Sequence, residues 1–428
     1  MIYDVIIVGA GASGLIAAYA LAAKNRKQHI LVIEKERIPG RKLSAAGNGK
    51  CNLTNKSFSR EKLYSRCENF VGEFADMHSY EEVISFLEEA GIPMYEKDGY
   101  YYPLSNQAKQ VTDILYTGCL NMGVEFAFET EVCSVIRNLA FEKGKKSPRY
   151  IVDIVQRPEV SSKNYQTERV ILCTGGMAAP KLGGSKSGYE ITKKLGLSQE
   201  MVYPVLTPAY VEDKNLKTAR GVRLFADISL RKNGALVKKE SGQLQINEES
   251  LSGIVMMNLS CLFTFFSEAE RKECLQIDAM PYMTWDKLKS YIKKQCDNMP
   301  EKTLLTVLEG LFPMKFGEYI MKRLKLEQSI LAVDVTEKTL NRLTSLIKKM
   351  TFTPVRFNDY DKAQATAGGV SVKEIDVESF ECRQYPGLFI TGELLDVNGE
   401  CGGYNLTFAM LSGLQAAEYI SREMENSL

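Results

Sequence analysis

An α/β fold is the architecture this sequence predicts: a dinucleotide-binding domain interrupted by a long insert. Three observations carry it. A short apolar run, Asp4–Val8, meets a Gly9-x-Gly11-x-x-Gly14 turn. A second apolar run, Ile30–Ile33, ends at the acidic Glu34. The texture of the chain then changes after about Gly196 and returns near Phe352.

The elements follow in order. Asp4–Val8 reads as a strand buried on both faces, and Leu15–Ala23 as an Ala-rich helix packed closely on a sheet. With Ile30–Ile33 they make one βαβ unit of the usual size, about 30 residues. A polar, Gly-rich stretch runs over 40–55. Helical patterns cover 80–90 and 107–122, and strand patterns cover 124–137, 150–156 and 168–173. Val170–Gly176 is a buried strand running into glycines. Pro204 and Pro208 break the next stretch, where alternating runs at 226–231 and 235–239 flank Asn233-Gly234, a hairpin signal. Residues 285–349 look helical and Lys-rich, with Pro300 and Pro313 as stops. A strand at 387–391, a Gly-rich loop and a helix over 405–423 close the chain. The expected division is therefore 1–195 with 350–428 as one discontinuous domain and 196–350 as the insert, β-rich to about 265 and helical beyond.

Composition narrows the function classes. With 428 residues, 45% hydrophobic and 25% charged, the chain is long enough for two or three ordinary globular domains. A net charge of +1 supplies no field that would draw nucleic acid or an anionic membrane, so neither is expected as a partner. No apolar run is long enough to span a bilayer, and the N-terminus shows no signal-peptide features. Ten cysteines without a C-x-x-C pair read as free thiols, so a reducing cytoplasm is the expected location and no metal site is expected. His29 and His78 are the only histidines, and both read as surface residues, which disfavours Ser-His-Asp or Cys-His hydrolysis.

In the glycine turn, Gly9 permits the tight bend, Gly11 lets backbone approach a pyrophosphate, and Gly14 lets the helix meet the strand. The N-terminus of the helix that follows offers unpaired N–H groups and partial positive charge to an anion. Glu34 is placed to bind a ribose diol and repels a 2′-phosphate, but it does not separate NAD from FAD. Three later segments point to FAD. Gly40–Asn55 is basic and rich in amides, so that Arg41 and Lys42 could neutralise pyrophosphate while Asn48 and Asn52 address a polar ring edge. Cys173-Thr174-Gly175-Gly176 ends a buried strand. Thr391–Leu406 opens the last helix, with Asp396 available to ribityl hydroxyls and the N–H groups near Asn405 facing the flavin N1/O2 edge, where they would favour the reduced ring.

These segments, with Tyr102-Pro103-x-Ser105, Leu251-Ser252-Gly253 and Thr366–Val370, resemble over essentially the whole chain a bacterial flavoprotein family. It is the family of NAD(P)/FAD-dependent oxidoreductases of the bile-acid-inducible N type, which also takes in the aminoacetone oxidases. The resemblance implies a two-dinucleotide-binding, glutathione-reductase-type FAD domain with an inserted β-barrel-like subdomain and a helical subdomain. It also implies FAD contacts at Gly9, Gly11, Ala12, Ser13, Gly14, Glu34, Lys35, Arg41, Lys42, Gly49, Cys51, Asn52, Thr174, Gly175, Gly176, Gly392, Glu393, Asp396, Gly403, Tyr404 and Asn405, with Val132 holding adenine through its backbone. Departures from the family pattern fall at Tyr100, Tyr102, Ser187 and Asn247-Glu248, the last standing where many members have Thr-His. No catalytic acid is therefore carried over.

Cys51 lacks a partner thiol at C-x-x-C spacing and reads as a packing residue. Tyr404 is either a proton donor or a wall of the site. Tyr100-Tyr101-Tyr102 either lines an aromatic cavity or forms a strand with one buried face. Met256-Met257 and Phe263–Phe266 read as core. The expected activity is FAD-dependent reduction of an activated C=C in a small organic acceptor, by hydride transfer through flavin N5, with NADH or NADPH as transient donor. The alternatives are an amine or aminoketone oxidase using O2 and a flavin-dependent RNA-modifying or regulatory protein. Oligomeric state does not follow from the sequence.

Overall fold

A computed structural model describes residues 2–140, 147–156, 161–356 and 359–426. The chain divides into two compact units: Met1–Pro204 with Gln364–Leu428, and Val205–Ala363.

The first unit is built on a mostly parallel sheet. Strand β1 (Ile2–Val8) lies between β2 (Ile30–Ile33) and the strand Ser161–Leu172, parallel to both. Beyond β2 lies Glu125–Ala127, also parallel. Ser161–Leu172 serves two partners. Its first half pairs antiparallel with Tyr150–Gln156, and its last residues pair parallel with Leu388–Ile390. Thr130–Arg137 completes the antiparallel wing. Parallel strands must be covered on both faces, and residues 5–8 of β1 and all of β2 are apolar and buried for that reason. Helix α1 (Ala12–Lys24) covers one face, and the C-terminal helix Tyr404–Glu425 packs against it. A Cβ at Gly413 would stand 2.5 Å from Ser13 O, so only glycine lets the two helices come this close.

Two expectations change here. The run at 124–137 is two strands, because Glu129 takes a left-handed φ of 51° and the chain leaves the parallel sheet for the antiparallel wing. The strand expected at 168–173 begins at Ser161, where polar side chains hide it from a hydrophobic reading. Helix Glu68–Met77, which buries Phe70, Val71 and Phe74, was not expected.

The second unit has a seven-stranded sheet, in the order Met350–Phe352, Leu275–Asp278, Arg223–Lys232, Ala235–Ile246, Ser250–Ser252, Ala209–Val211, Pro354–Arg356. The Asn233-Gly234 hairpin forms as expected, with both residues at positive φ (51° and 83°), as a type I′ turn requires. The first and last strands of the path are separated by Thr353 alone, so the sheet curls back on itself. The insert does not divide into a β half followed by a helical half. Helix Ile254–Phe263 falls in the first part, and three of the seven strands come from beyond residue 265. The helix is mostly apolar and buries even its polar Asn258 and Ser260, so it shows little amphipathic period, while strands of three or four residues are too short to show alternation. Helices Trp285–Asn298, Leu304–Glu309 and Glu337–Lys348 are each capped by a threonine, at Thr284, Thr303 and Thr336. Met256 and Phe263 are core residues of this unit.

Candidate flavin site

The glycine turn is dictated by backbone crowding. Gly9 has φ 104°, and a Cβ there would stand 2.5 Å from Cys173 O. A Cβ at Gly14 would stand 2.0 Å from Gly9 O. Gly11 differs: at φ −79° it could be any residue, and a Cβ there meets nothing within 4 Å. Its missing side chain therefore leaves room for an incoming group at the uncapped N-terminus of α1. Ala12 and Ser13 open that helix, and the Ser13 hydroxyl is engaged with Thr391 Oγ1 at 2.8 Å.

Glu34 leaves β2 half-buried. Its Oε2 accepts from Ala10 N at 2.7 Å and its Oε1 from Glu36 N at 3.0 Å. Burial pushes its carboxyl above the ordinary value, and these two N–H groups oppose the shift. Each oxygen keeps a lone pair for a ribose diol. Lys35 follows it, also half-buried. Val132 lies at a β-bulge in Thr130–Arg137, where the register with Tyr150–Gln156 shifts.

The basic loop is less free than its composition suggests. Arg41 pairs with Glu36 and donates to Lys181 O, while Lys42 Nζ lies 2.6 Å from Glu393 Oε2. Glu393 Oε1 accepts from Thr366 N at 2.8 Å, which ties this loop to the strand Ala365–Val370. Both cations are thus held by carboxylates rather than standing unpaired for a pyrophosphate. Cys51 is fully buried at φ 59°, its thiol toward Leu43 O, and burial pushes that thiol up to about 12. It is a protonated, inert side chain.

The C-terminal segment is held by residues 62–66, through side chains and the Arg66 backbone. Asp396 accepts from Arg66 N at 2.9 Å and Ser65 Oγ at 3.4 Å, and burial raises its carboxyl. Glu400, 3% exposed, takes Lys62 Nζ at 2.9 Å on one oxygen and Tyr64 OH at 2.8 Å on the other. The short strands Leu63–Tyr64 and Asn398–Gly399 pair antiparallel between them. Asn405 clamps the turn, accepting from Gly399 N and donating to Gly399 O, both at 2.8 Å. Gly403 caps the last helix at φ 94°, Tyr404 is its buried first residue, and the Tyr100 ring lies against Gly402. Gly392 takes φ 69° beside Ser13. Motif and spacing do not single out Lys62, Tyr64 or Glu400. Their only trace in the sequence is an acidic residue set within the glycine-rich run 399–403.

The residues present fit a bound FAD. Cβ atoms at Gly11, Gly49 and Gly175 would each meet nothing within 4 Å, so three of the segments singled out leave open space beside their backbone. Three buried polar atoms, Asn52 Oδ1, Thr174 Oγ1 and Asn398 Nδ2, have no hydrogen-bond partner among the described residues. Leaving such groups unmade costs about 1–3 kcal/mol each, which a ligand's polar groups would remove. Gly176, by contrast, is filled in by Thr366 and Glu393.

Tyr100–Pro103 is a strand, with the Tyr101 ring tilted against Tyr80 and Tyr102 stacked on Tyr95. His78 is not a surface residue. Its ring packs on Phe74 and joins Glu82 (Nδ1, 2.9 Å) to Gln415 (Nε2, 2.7 Å), so it bolts helix Tyr80–Glu89 to the C-terminal helix. No helix among the described residues is long and apolar enough to cross a membrane.

Fold and site define a Rossmann-type FAD-dependent oxidoreductase. The chain belongs to the HI0933-like family, whose Rossmann-domain model matches residues 3–419, in line with the flavoprotein family its motifs resemble. It is 28% identical over 410 residues to the 3-dehydro-bile acid delta(4,6)-reductase of Clostridium scindens, covering 96% of this chain and 97% of that one. It is 29% identical over 421 residues to the ribosomal RNA dihydrouridine synthase of Haemophilus influenzae, covering 98% of each. Among solved structures, E. coli quinol fumarate reductase shares the fold, with a TM-score of 0.52 at 16% identity over 100% of this chain and 71% of that one.

Proposed function

We propose that this chain is an FAD-dependent reductase acting on a carbon–carbon double bond conjugated with a carbonyl. The observation that carries the cofactor assignment is the coincidence of unpartnered buried atoms and open glycine positions at Gly11, Gly49, Asn52, Thr174, Gly175 and Asn398. Bound FAD would supply hydride chemistry at its isoalloxazine ring. Gly11 and the α1 N-terminus would hold the pyrophosphate, and Glu34 the ribose. Asn52 Oδ1 and Asn398 Nδ2, one acceptor and one donor, suit a ring edge that presents both. Cys51 stays protonated, so no thiol step enters. The acceptor class is supported by chemistry common to two relatives' names: a 3-keto-Δ4,6 steroid and the uracil ring of uridine both contain a C=C conjugated with a carbonyl. NADH or NADPH is the proposed donor, and a small organic enone the first acceptor.

A second reading, uridine in RNA as acceptor, is favoured by charge distribution. Residues 205–363 carry 25 Lys and Arg against 20 Asp and Glu, so the near-neutral whole conceals a positive second unit. The test is anaerobic titration of the flavin absorbance with NADH and NADPH, followed by reoxidation with a 3-keto-Δ4,6 steroid or with unmodified ribosomal RNA. Bleaching by a nicotinamide and reoxidation by either acceptor is expected. Bleaching only by amines, with peroxide release in air, or failure to bind FAD, overturns the proposal.

A further inference from the structure

We propose that Phe225 and Tyr282 form a stacking platform for an unpaired RNA base on the outer face of the second unit's sheet; this rests on the RNA reading above. Strand Arg223–Lys232 alternates strictly, with Leu224, Ala226, Ile228 and Leu230 in the core. The pleat therefore turns Phe225 outward with Arg223 and Asp227. Phe225 is 44% exposed and Tyr282 74%, yet their rings stack at 5.5 Å between centroids and 29° between planes. Two aromatic rings paired in solvent gain little for the fold and offer a flat apolar face.

The surroundings suit a nucleobase. Gln243 stands directly across the hairpin from Phe225, and Gln245 opposite Arg223, so planar donor and acceptor groups border the rings. Asp227 is neutralised by Lys239 at 2.6 Å and Asp278 by Lys348 at 2.6 Å. Arg223 has no carboxylate partner among the described residues and is open to a phosphate. The unit that carries the platform is the one with the positive balance, 25 Lys and Arg against 20 Asp and Glu. Size points the same way. Two rings expose well under the roughly 800 Å² per partner that a stable protein interface buries, but match one base. Stacking on an aromatic face holds single-stranded RNA with little regard to sequence.

The test uses the FAD-loaded full chain and a fluorescein-labelled single-stranded oligouridine, followed by anisotropy. A Phe225→Ala/Tyr282→Ala double variant should bind roughly ten-fold more weakly, with flavin absorbance and thermal midpoint unchanged, and Phe225→Trp/Tyr282→Phe should bind within about two-fold of the parent. Equal binding by the alanine variant overturns the platform, as does equal loss in the aromatic variant. A shift from dimer to monomer in the alanine variant, read by sedimentation, also overturns it and assigns the rings to self-association. Dihydrouridine formation in ribosomal RNA separates the two levels. If the parent forms it and the alanine variant has the same KM, only the platform fails. If the parent reduces the steroid enone but neither binds nor modifies RNA, the RNA reading fails and the platform with it.

Discussion

The two glycine-rich segments of the first unit, Gly9–Gly14 and Gly392–Asn405, serve one site by different means. The N-terminal turn is crowded by backbone: Gly14 lies against Gly9 O, and Gly9 against Cys173 O, with Glu34 and Thr391 adding one side-chain bond each at Ala10 N and Ser13. The C-terminal segment is fixed by its own carboxylates reaching distant groups: Asp396 takes the Arg66 backbone N–H and the Ser65 hydroxyl, and Glu400 takes the Lys62 and Tyr64 side chains. A backbone-made cradle fails all at once when a Cβ is added. A side-chain-made cradle should loosen in steps.

Four substitutions sharpen or break that contrast. Gly14→Ala should cost the apoprotein at least about 3 kcal/mol, because its Cβ meets a backbone oxygen that cannot move aside; urea unfolding reads it. Glu400→Ala strands Lys62 and Tyr64, and since Lys62 is one-third exposed the loss should be about 2 kcal/mol, less than a fully buried pair would give. Asp396→Asn tests the sign of a pH effect. Burial raises the Asp396 carboxyl, so the folded chain holds that proton more tightly than the unfolded chain, and stability falls as pH rises from the unfolded value through the raised one. The Asn variant, which keeps an acceptor for Arg66 N, should lack that decline, seen as a flatter plot of Tm against pH. Gly11→Ala should change apoprotein stability by less than about 1 kcal/mol, since φ and space are both permissive, yet abolish retention of FAD on a desalting column. Equal damage from Gly11→Ala and Gly14→Ala would erase the distinction between a packing glycine and a ligand glycine.

Legibility followed the range of the interactions. The βαβ unit, the Asn233-Gly234 hairpin and the last helix announce themselves within a few residues, and all are present. What was unreadable depends on partners far along the chain. The Lys62–Glu400 pair spans 338 positions and Arg66–Asp396 spans 330, so nothing near either carboxylate names its partner. Lys42 reads as a free cation because Glu393 lies 351 positions away, whereas the carboxylate that holds Arg41, Glu36, is only five residues back and was within reach of a local reading. His78 looked exposed because its polar neighbours sit beside it in sequence, while Phe74 and Gln415 are what it touches. The second unit's strands of three or four residues carry too few positions to show a period.

The discontinuity of the first unit bears on how the protein is made. Leu388–Ile390 completes the sheet beside Ser161–Leu172, and the C-terminal helix supplies the Gly413 surface against which Ser13 packs. Neither exists when the ribosome has finished residue 204. At about 5–20 residues per second, the 159 residues of Val205–Ala363 occupy roughly 8–32 s, during which α1 waits with part of its apolar surface uncovered. The second unit, contiguous and with its own core, can finish in that interval. The nascent chain therefore passes through a stage with a completed insert and an open dinucleotide domain, in which a chaperone would find its binding surface on α1.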